Sequence, residues 1–357
     1  MKVGLIHPSF KVPGGAEITS TCILEALRRT SHATTLYTVE PPAIEESQNL
    51  KVHKIKRGNL PSLWRYQRMK EVRKLFSDAS GEDVLVIGSG NLILEKTPVK
   101  RIILYCHSTF EAEHEFLKKK FPSIKGAYYR MIQNNLSASF ERLRDPSVKL
   151  VSNSNFTRKV IMDITGKDSL VIYPPVDIRK FSGWFDSSKD SSVVTLSRFS
   201  PEKNLKFAIE VAKIGKFKYT LIGSAKFESQ LNLYNELRRE AESSNISILP
   251  NLPSSDIEKF LGCSKVYFHP SKETFGISVV EAISAGCIPI VPDAFAFLET
   301  VPFEQLRFKG SEEAALKIKD ALEGKYDHLR QMLKLHIEKF SVENFQSNML
   351  KEIESIN

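Results

Sequence analysis

The chain has 357 residues, of which 41% are hydrophobic and 26% charged, a balance that suits two soluble globular domains and excludes a membrane-embedded or disordered chain. No apolar run approaches bilayer length, and the opening MKVGLIHPSF turns polar too early for a secretory signal, so a cytoplasmic protein is expected. The net charge of +9 favours anionic partners of every kind, but no zinc-finger spacing or RNA-binding motif points to nucleic acid. The four cysteines, Cys22, Cys106, Cys263 and Cys287, are too scattered for a metal or redox pair.

Lys2 to His7 reads as a buried strand, Pro8 to Gly15 as a loop, and Ala16 to Arg29 as a helix with Ile18, Cys22, Leu24 and Leu27 apolar. Strand, glycine loop and helix form a phosphate-cradling arrangement in which Gly14 and Gly15 let backbone approach a ligand; a simple tight turn accounts for the pair as well. Further strands are predicted at Thr34 to Tyr37, Lys51 to Ile55, Asp83 to Ile87, Arg101 to Cys106 and Lys149 to Ser152. Their alternation with helical stretches predicts a parallel sheet covered on both faces. Gly88-Ser89-Gly90 invites a nicotinamide-binding reading that Ile93, in place of the third glycine, weakens.

Between Lys51 and Lys74, eight basic residues (Lys54, Lys56, Arg57, Arg65, Arg68, Lys70, Arg73 and Lys74) face the single acid Glu71. Met69, Val72 and Phe76 share one helical face, with Trp64 nearby. This segment either lies on an anionic membrane or packs its stripe on the sheet and solvates its charges. Phe116 to Phe121, FLKKKF, adds a second basic and apolar spot. His107 closes a strand, where α/β sheets face their ligands, and Asn153, Ser154 and Asn155 open a helix after the strand ending at Ser152.

Arg179 to Ser192 is polar and patternless and reads as a linker. The second α/β pattern begins at Ser192 to Ser197, with a helix from Asn204, a strand at Tyr219 to Ile222, a helix over 227–243, a strand at Ile246 to Leu249 and a helix over 254–262. Then comes Val266 to Ile290, VYFHPSKETFGISVVEAISAGCIPI: strand, polar loop, a helix with Ile277, Val280 and Ile283 at three-residue steps, a terminating Gly286, and a second strand. Two carboxylates mark this unit. Glu273 precedes the helix and Glu281 lies within it, while Thr274, Phe275 and Gly276 stand where free amides favour a phosphate. Amides for a diphosphate, one Glu for sugar hydroxyls and the other for ribose hydroxyls would suit a nucleotide sugar.

FGISVVEAISAG followed by CIPIV, together with Tyr173-Pro174-Pro175-Val176-Asp177, resembles the retaining glycosyltransferases of family 4, most closely the mannosyltransferases that extend lipid-linked oligosaccharides. The resemblance implies a GT-B fold: two Rossmann-like parallel-sheet domains facing a central cleft, with a C-terminal helix crossing back to the N-domain. The domains would be an acceptor domain over 1–180, completed by 340–357, and a donor domain over 190–339. By the same resemblance Gly14-Gly15-Ala16-Glu17 is the N-terminal loop that faces the diphosphate, His107 contacts the transferred sugar, and the loop at Asn153 and Ser154 lines the cleft. Arg198-Phe199-Ser200-Pro201-Glu202-Lys203-Asn204 resembles R-x-x-x-E-K-N, which makes Arg198 and Lys203 the diphosphate clamp. His107, Glu273, Arg198 and Lys203 are therefore the candidate catalytic group, and Gly14, Gly15, Phe275, Gly276, Ile277 and Glu281 join them around the donor.

No D-x-D pair is present, so no metal or other cofactor is expected; the cationic clamp would stabilise the departing nucleoside diphosphate. Where many family members carry a second G-G-x-x-E loop, this chain has Asp293-Ala294-Phe295-Ala296-Phe297-Leu298-Glu299. Phe340-Ser341-Val342-Glu343-Asn344-Phe345 resembles the segment that crosses back to the first domain. The expected partners are a nucleotide sugar, a lipid-linked glycan acceptor and an anionic membrane face on the cytoplasmic side. The expected reaction is transfer of mannose from GDP-mannose. A UDP-sugar enzyme acting on a soluble or surface-polysaccharide acceptor, or a non-catalytic nucleotide-sugar-binding module, are the alternatives.

Overall fold

A computed structural model describes residues 1–11, 14–58, 63–88, 94–122, 126–242 and 244–355. The chain forms two compact units, Met1–Pro175 with Val342–Asn357, and Val176–Ser341. Each is a parallel sheet covered by helices.

In the first unit β1 (Lys2–Ile6), α1 (Gly15–Arg28), β2 (Ala33–Thr38), β3 (Leu50–Lys54), α2 (Trp64–Asp78), β4 (Val84–Ile87) and β5 (Ile102–Cys106) are followed by α3 (Glu111–Lys118), α4 (Gly126–Leu143), β6 (Val148–Ser152), α5 (Asn155–Thr165) and the two-residue β7 (Leu170–Val171). The seven strands lie in the order β3-β2-β1-β4-β5-β6-β7, all parallel. Strands such as VLVI and IILYC are buried at every position because helices cover both faces, which is why they read as continuous apolar runs rather than alternating ones.

The second unit runs α6 (Ile178–Ser182), β8 (Asp190–Arg198), α7 (Leu205–Gly215), β9 (Lys218–Ser224), α8 (Glu228–Glu240), β10 (Ile246–Pro250), α9 (Ser254–Cys263) and β11 (Ser264–Phe268). It continues through α10 (Ile277–Ser284), β12 (Ile288–Pro292), α11 (Phe297–Thr300), β13 (Arg307–Phe308), α12 (Ser311–Leu322) and α13 (Arg330–Ile337). Its six strands lie in the order β10-β9-β8-β11-β12-β13, again all parallel. In both sheets the order reverses after the unit's first strand, between β1 and β4 and between β8 and β11. These are the switch points at which doubly wound sheets bind ligands.

The last helix, α14 (Val342–Glu354), returns to the first unit. There Phe345, Met349 and Ile353 share a buried cluster with Ile23 and Leu27 of α1 and Tyr105 of β5, and the Gln346 side-chain amide donates to the Cys22 carbonyl at 3.2 Å. Where the chain enters and leaves the second unit, Val176 and Ser341 form a parallel bridge, and the Val176 amide donates to the Phe340 carbonyl at 2.9 Å.

One expectation is corrected and one alternative is decided. The stretch from Arg179 to Ser192 is not a linker: half of it folds as α6 and the start of β8, and Phe181 and Phe185 are buried. Its few apolar residues, dispersed among Ser, Asp and Lys, conceal that packing. Of the two readings of α2, the stripe of Met69, Val72 and Phe76 takes the one in which it packs inward: all three are buried, Val72 and Phe76 in the core beside Ile6 and Leu104. Any membrane contact would have to use other residues, such as Trp64, which is 61% exposed. No helix among the described residues is long and apolar enough to cross a membrane. All four cysteines are free thiols, and Cys22, Cys106 and Cys287 are buried.

Candidate functional site

In the second unit the candidate residues gather beyond the carboxyl ends of β8 and β11. β8 ends at Arg198, which is exposed and lies 3.8 Å from Glu202. A 3-10 turn at Pro201–Lys203 then reverses the chain, and Asn204 takes the left-handed conformation at φ 50° before α7 begins. The Asn204 side-chain amide donates to the Pro270 carbonyl at 3.2 Å and so ties this turn to the loop after β11. The turn delivers Lys203 Nζ to Glu273 Oε1 at 2.5 Å, with both side chains largely covered.

His269, the first residue past β11 and 2% exposed, brings Nε2 to within 3.2 Å of the same Glu273 oxygen. A carboxylate only accepts, so Nε2 carries the proton and donates. Ser271 Oγ sits 3.2 Å from that nitrogen, while His269 Nδ1 is buried with no hydrogen-bond partner among the described residues. Burial alone would raise the Glu273 pKa. The hydrogen bond and charge of His269, and then those of Lys203, outweigh it and hold the carboxyl down at about 2.

The loop reaches α10 through Gly276 at φ 91°, where a Cβ would stand 2.9 Å from Phe297 Cε1. Both the conformation and the space therefore require glycine. No side chain caps α10. The amides of Ile277 and Ser278 precede the first intrahelical bonds, in which Val279 and Val280 donate to the Gly276 carbonyl at 3.0 and 3.4 Å. Phe275 is turned inward, 2% exposed and edge-on to Phe340 at 5.1 Å, so it offers a ligand its backbone rather than its ring. The Glu281 side chain, one turn into the helix, has no hydrogen-bonded partner among the described residues. Burial raises its pKa to about 7, against the lowering effect of Lys180 and with a small addition from Asp177.

The substituted loop after β12 still serves this site. The Ala296 amide donates to the Glu273 carbonyl at 3.4 Å, and Phe295 adopts φ 61°, the left-handed conformation that glycine takes most easily. Lys272 Nζ lies 5.2 Å from the Phe295 ring centroid, Phe297 is fully buried, and Glu299 sits in α11.

In the first unit the candidates again sit past strand ends. α1 begins at Gly15 with Gly14 as an N-cap that provides no side chain, and a Cβ on Gly14 would lie 2.9 Å from Glu17 Oε2. His7 follows β1 and is 2% exposed. Its Nδ1 is 3.0 Å from the Gly88 carbonyl and 2.9 Å from Ser20 Oγ, and its Nε2 is 3.0 Å from the Ser9 carbonyl and 3.5 Å from Glu17 Oε1. His107, which follows β5, places Nε2 3.2 Å from the same Gly88 carbonyl. Burial, then the nearby His7, push His107 down to about 4, which keeps it neutral at physiological pH. Burial pushes Glu17 upward, but its hydrogen bond to His7 and the charge there leave it below the ordinary range.

Asn153 donates to the His107 carbonyl at 3.3 Å. Ser154 is fully buried and accepts from the Thr157 amide at 3.0 Å, so it caps α5. The rest of the nicotinamide-like stretch, Ser89, Gly90 and Ile93, lies outside the described residues.

The structure thus brings Gly14, Glu17, His107 and Asn153 together in one unit, and Lys203, Glu273, Gly276, Ile277 and Glu281 in the other, with Arg198 at the exposed end of its strand. Sequence reading missed His7 and His269. Both carry the signal that singled out His107, a histidine immediately after an apolar strand. Among the described residues no group of three or more His, Cys, Asp or Glu could hold a metal ion.

Residues 178–338 match the family model "Glycosyl transferases group 1". Among curated proteins the chain is 25% identical over 279 residues to a Dictyostelium discoideum protein named GDP-Man:Man(3)GlcNAc(2)-PP-Dol alpha-1,2-mannosyltransferase, covering 70% of this chain and 54% of that one. It is 25% identical over 235 residues to the Caenorhabditis elegans protein of the same name, covering 57% and 50%. The chain spans about half the length of the curated relatives it matches. Among solved structures it is similar to HepE of Anabaena, determined with UDP and glucose, at a TM-score of 0.72 and 17% identity over 100% of both chains. It is also similar to WaaG, a glycosyltransferase of lipopolysaccharide biosynthesis, at 0.71 and 13% over 99% and 100%.

Proposed function

Residues 178–338 form a glycosyl transferases group 1 domain within a chain of GT-B fold, and on that premise we propose that the protein transfers a hexose from a nucleoside diphosphate to an acceptor hydroxyl with retention of configuration. The single observation that carries this reading is the Lys203–Glu273 pair at the uncapped start of α10. It sets a cation and helix amides for a diphosphate beside a carboxylate for sugar hydroxyls.

In this reading Lys203, Arg198 and the amides of Ile277 and Ser278 take the diphosphate and stabilise the charge that grows on it as the glycosidic bond breaks. Glu273, held ionised by His269, accepts from the sugar hydroxyls and fixes the ring for attack. Glu281 accepts from the ribose. On the acceptor side His107 is neutral and able to hydrogen-bond a sugar hydroxyl, and the first amides of α1 behind Gly14 offer further donors. With cations and amides in these roles, the proposed chemistry needs no metal.

The names of the two curated relatives favour GDP-mannose as donor and a polyprenol-linked glycan as acceptor. The same names favour a place of work at a membrane surface, which we propose to be its cytoplasmic face. The test is thermal shift with GDP-mannose, UDP-glucose and UDP-N-acetylglucosamine, each with magnesium and with EDTA. A shift with GDP-mannose alone, unchanged by EDTA, is expected. A UDP-sugar shift would replace mannose and keep the chemistry, dependence on magnesium would overturn the metal-free clamp, and no shift with any of the three would overturn the nucleotide-sugar reading itself; a shift without turnover would favour the non-catalytic module.

A further inference from the structure

The first unit contains a cavity of about 310 Å³ between α2, α3 and α4 that none of the roles above uses. Trp64, Met69, Phe116, Ile132 and Leu136 supply its apolar wall. α3 has no buried residue at all, and along the eighteen residues of α4 only Gly126, Ser139 and Leu143 are buried, so the apolar sides of both helices are left partly uncovered.

Two cations enter the same cavity. Arg65 lies over the Trp64 and Phe116 rings, at 5.2 and 5.8 Å from their centroids. Arg68 makes no hydrogen bond or ion pair among the described residues; burial pulls its guanidinium below the usual range, and only the more distant charges of Glu71, Glu40 and Glu17 offset this. Arg68 carries five donors and no acceptor and is half-buried beside the apolar wall, so an anion that reaches it meets donors already placed. That Glu17 acts on Arg68 also places the cationic end of the cavity within electrostatic reach of the α1 end of the site.

We propose that this cavity binds the stem of the acceptor lipid, with the first isoprenoid carbons against Trp64, Phe116 and Leu136 and the adjoining phosphate on Arg68 and Arg65. The inference rests on the reading of a lipid-linked acceptor. A cavity of about 150 Å³ accepts a benzene ring, so this one takes a chain of roughly ten carbons, a stem rather than a whole lipid. The remaining isoprenoid would extend away from the protein. The lining also includes Glu113, whose carboxyl burial pushes above its ordinary range, so the apolar wall with Arg65 and Arg68 favours an amphiphile over a bare anion or a neutral oil.

The experiment titrates the full chain with farnesyl diphosphate, farnesol and inorganic pyrophosphate, reading the fluorescence of Trp64. The chain holds two tryptophans, and the Trp64→Phe variant identifies which one responds. Farnesyl diphosphate should give a saturable change absent from Trp64→Phe, with farnesol and pyrophosphate each at least about tenfold weaker. Arg68→Gln should bring farnesyl diphosphate to the farnesol level. Ala112→Trp, which fills the cavity from the exposed side of α3, should abolish both.

Pyrophosphate binding as tightly as farnesyl diphosphate would overturn the proposal, as would an unaffected Arg68→Gln, or binding only to phosphatidylglycerol vesicles and not to the soluble probe. The donor thermal shift is run on the same variants. If the donor shift persists while the probe does not bind, the cavity proposal falls and the transferase reading stands. If the probe binds and no donor does, the cavity stands and the transferase reading falls.

Discussion

The two units place their candidate residues at the same point of the same strand order, yet they handle charge in opposite ways. In the first, His7, His107 and Ser20 converge on one backbone carbonyl, that of Gly88, and burial holds His107 neutral. In the second, Lys203 and Glu273 neutralise each other, and the Glu281 carboxyl has no hydrogen-bonded partner among the described residues. A site organised on backbone carbonyls suits an uncharged, hydroxyl-rich ligand. A site in which a cation is held only by a carboxylate suits a diphosphate, which can take that cation as its own partner. Sequence similarity aside, the electrostatics around these strand ends would assign the nucleoside diphosphate to the second unit and uncharged sugar hydroxyls to the first.

The strongest challenge to that division is Glu273→Gln, which keeps the side-chain shape and removes the charge. Turnover should fall at least about a hundredfold while GDP-mannose affinity changes less than tenfold, because Glu273 is assigned to the sugar and not to the diphosphate. An equal loss in affinity would mean that Glu273 chiefly keeps Lys203 in place. His107→Ala sharpens the comparison from the other side: kcat/KM should drop about tenfold, with the donor thermal shift unchanged. The wild-type pH–rate profile should show no inflection from His107 between about pH 5 and 8, since burial keeps it neutral there.

The third expected effect is on stability against pH. Glu281 is raised from its ordinary 4.5 to about 7, so the folded state keeps a proton that the unfolded chain has released. Stability from this group is complete below about 4.5 and is lost as pH rises through 7. The loss should amount to roughly 2.5 kcal/mol between pH 5 and 8 in urea unfolding, and Glu281→Gln should remove it. Glu273 is depressed to about 2, so its contribution is present above 4.5 and disappears only as pH falls toward 2. A rise in wild-type stability between pH 5 and 8 would contradict the assignment of Glu281.

Much of this was legible in the sequence because α/β folding is written in local patterns. The stretch from Val266 to Ile290 reads as strand, loop, helix and strand because Val266 to Phe268 and all of β12 are continuously apolar and α10 is bracketed by Gly276 and Gly286. What escaped was non-local. Phe181 and Phe185 are isolated in a polar stretch, and only the partners they meet make them core residues. Nothing in the order of residues shows that Phe295 takes a glycine-like conformation, or that the amide after it bonds the backbone of Glu273. His269 is four residues from Glu273, so its link to that carboxylate was within reach of the sequence.

The return of α14 to the first unit bears on how the protein is made. Phe345, Met349 and Ile353 complete a buried cluster whose other members are synthesised before any of residues 176–341. At typical translation rates the ribosome takes roughly ten to thirty seconds to cross that interval. Through that time Ile23, Leu27 and Tyr105 lack their final cover, while the second unit is uninterrupted in sequence and can close as it emerges. The amino-terminal half of the chain is thus the later to mature, and a chaperone that guards nascent chains would find its longest-lived target there.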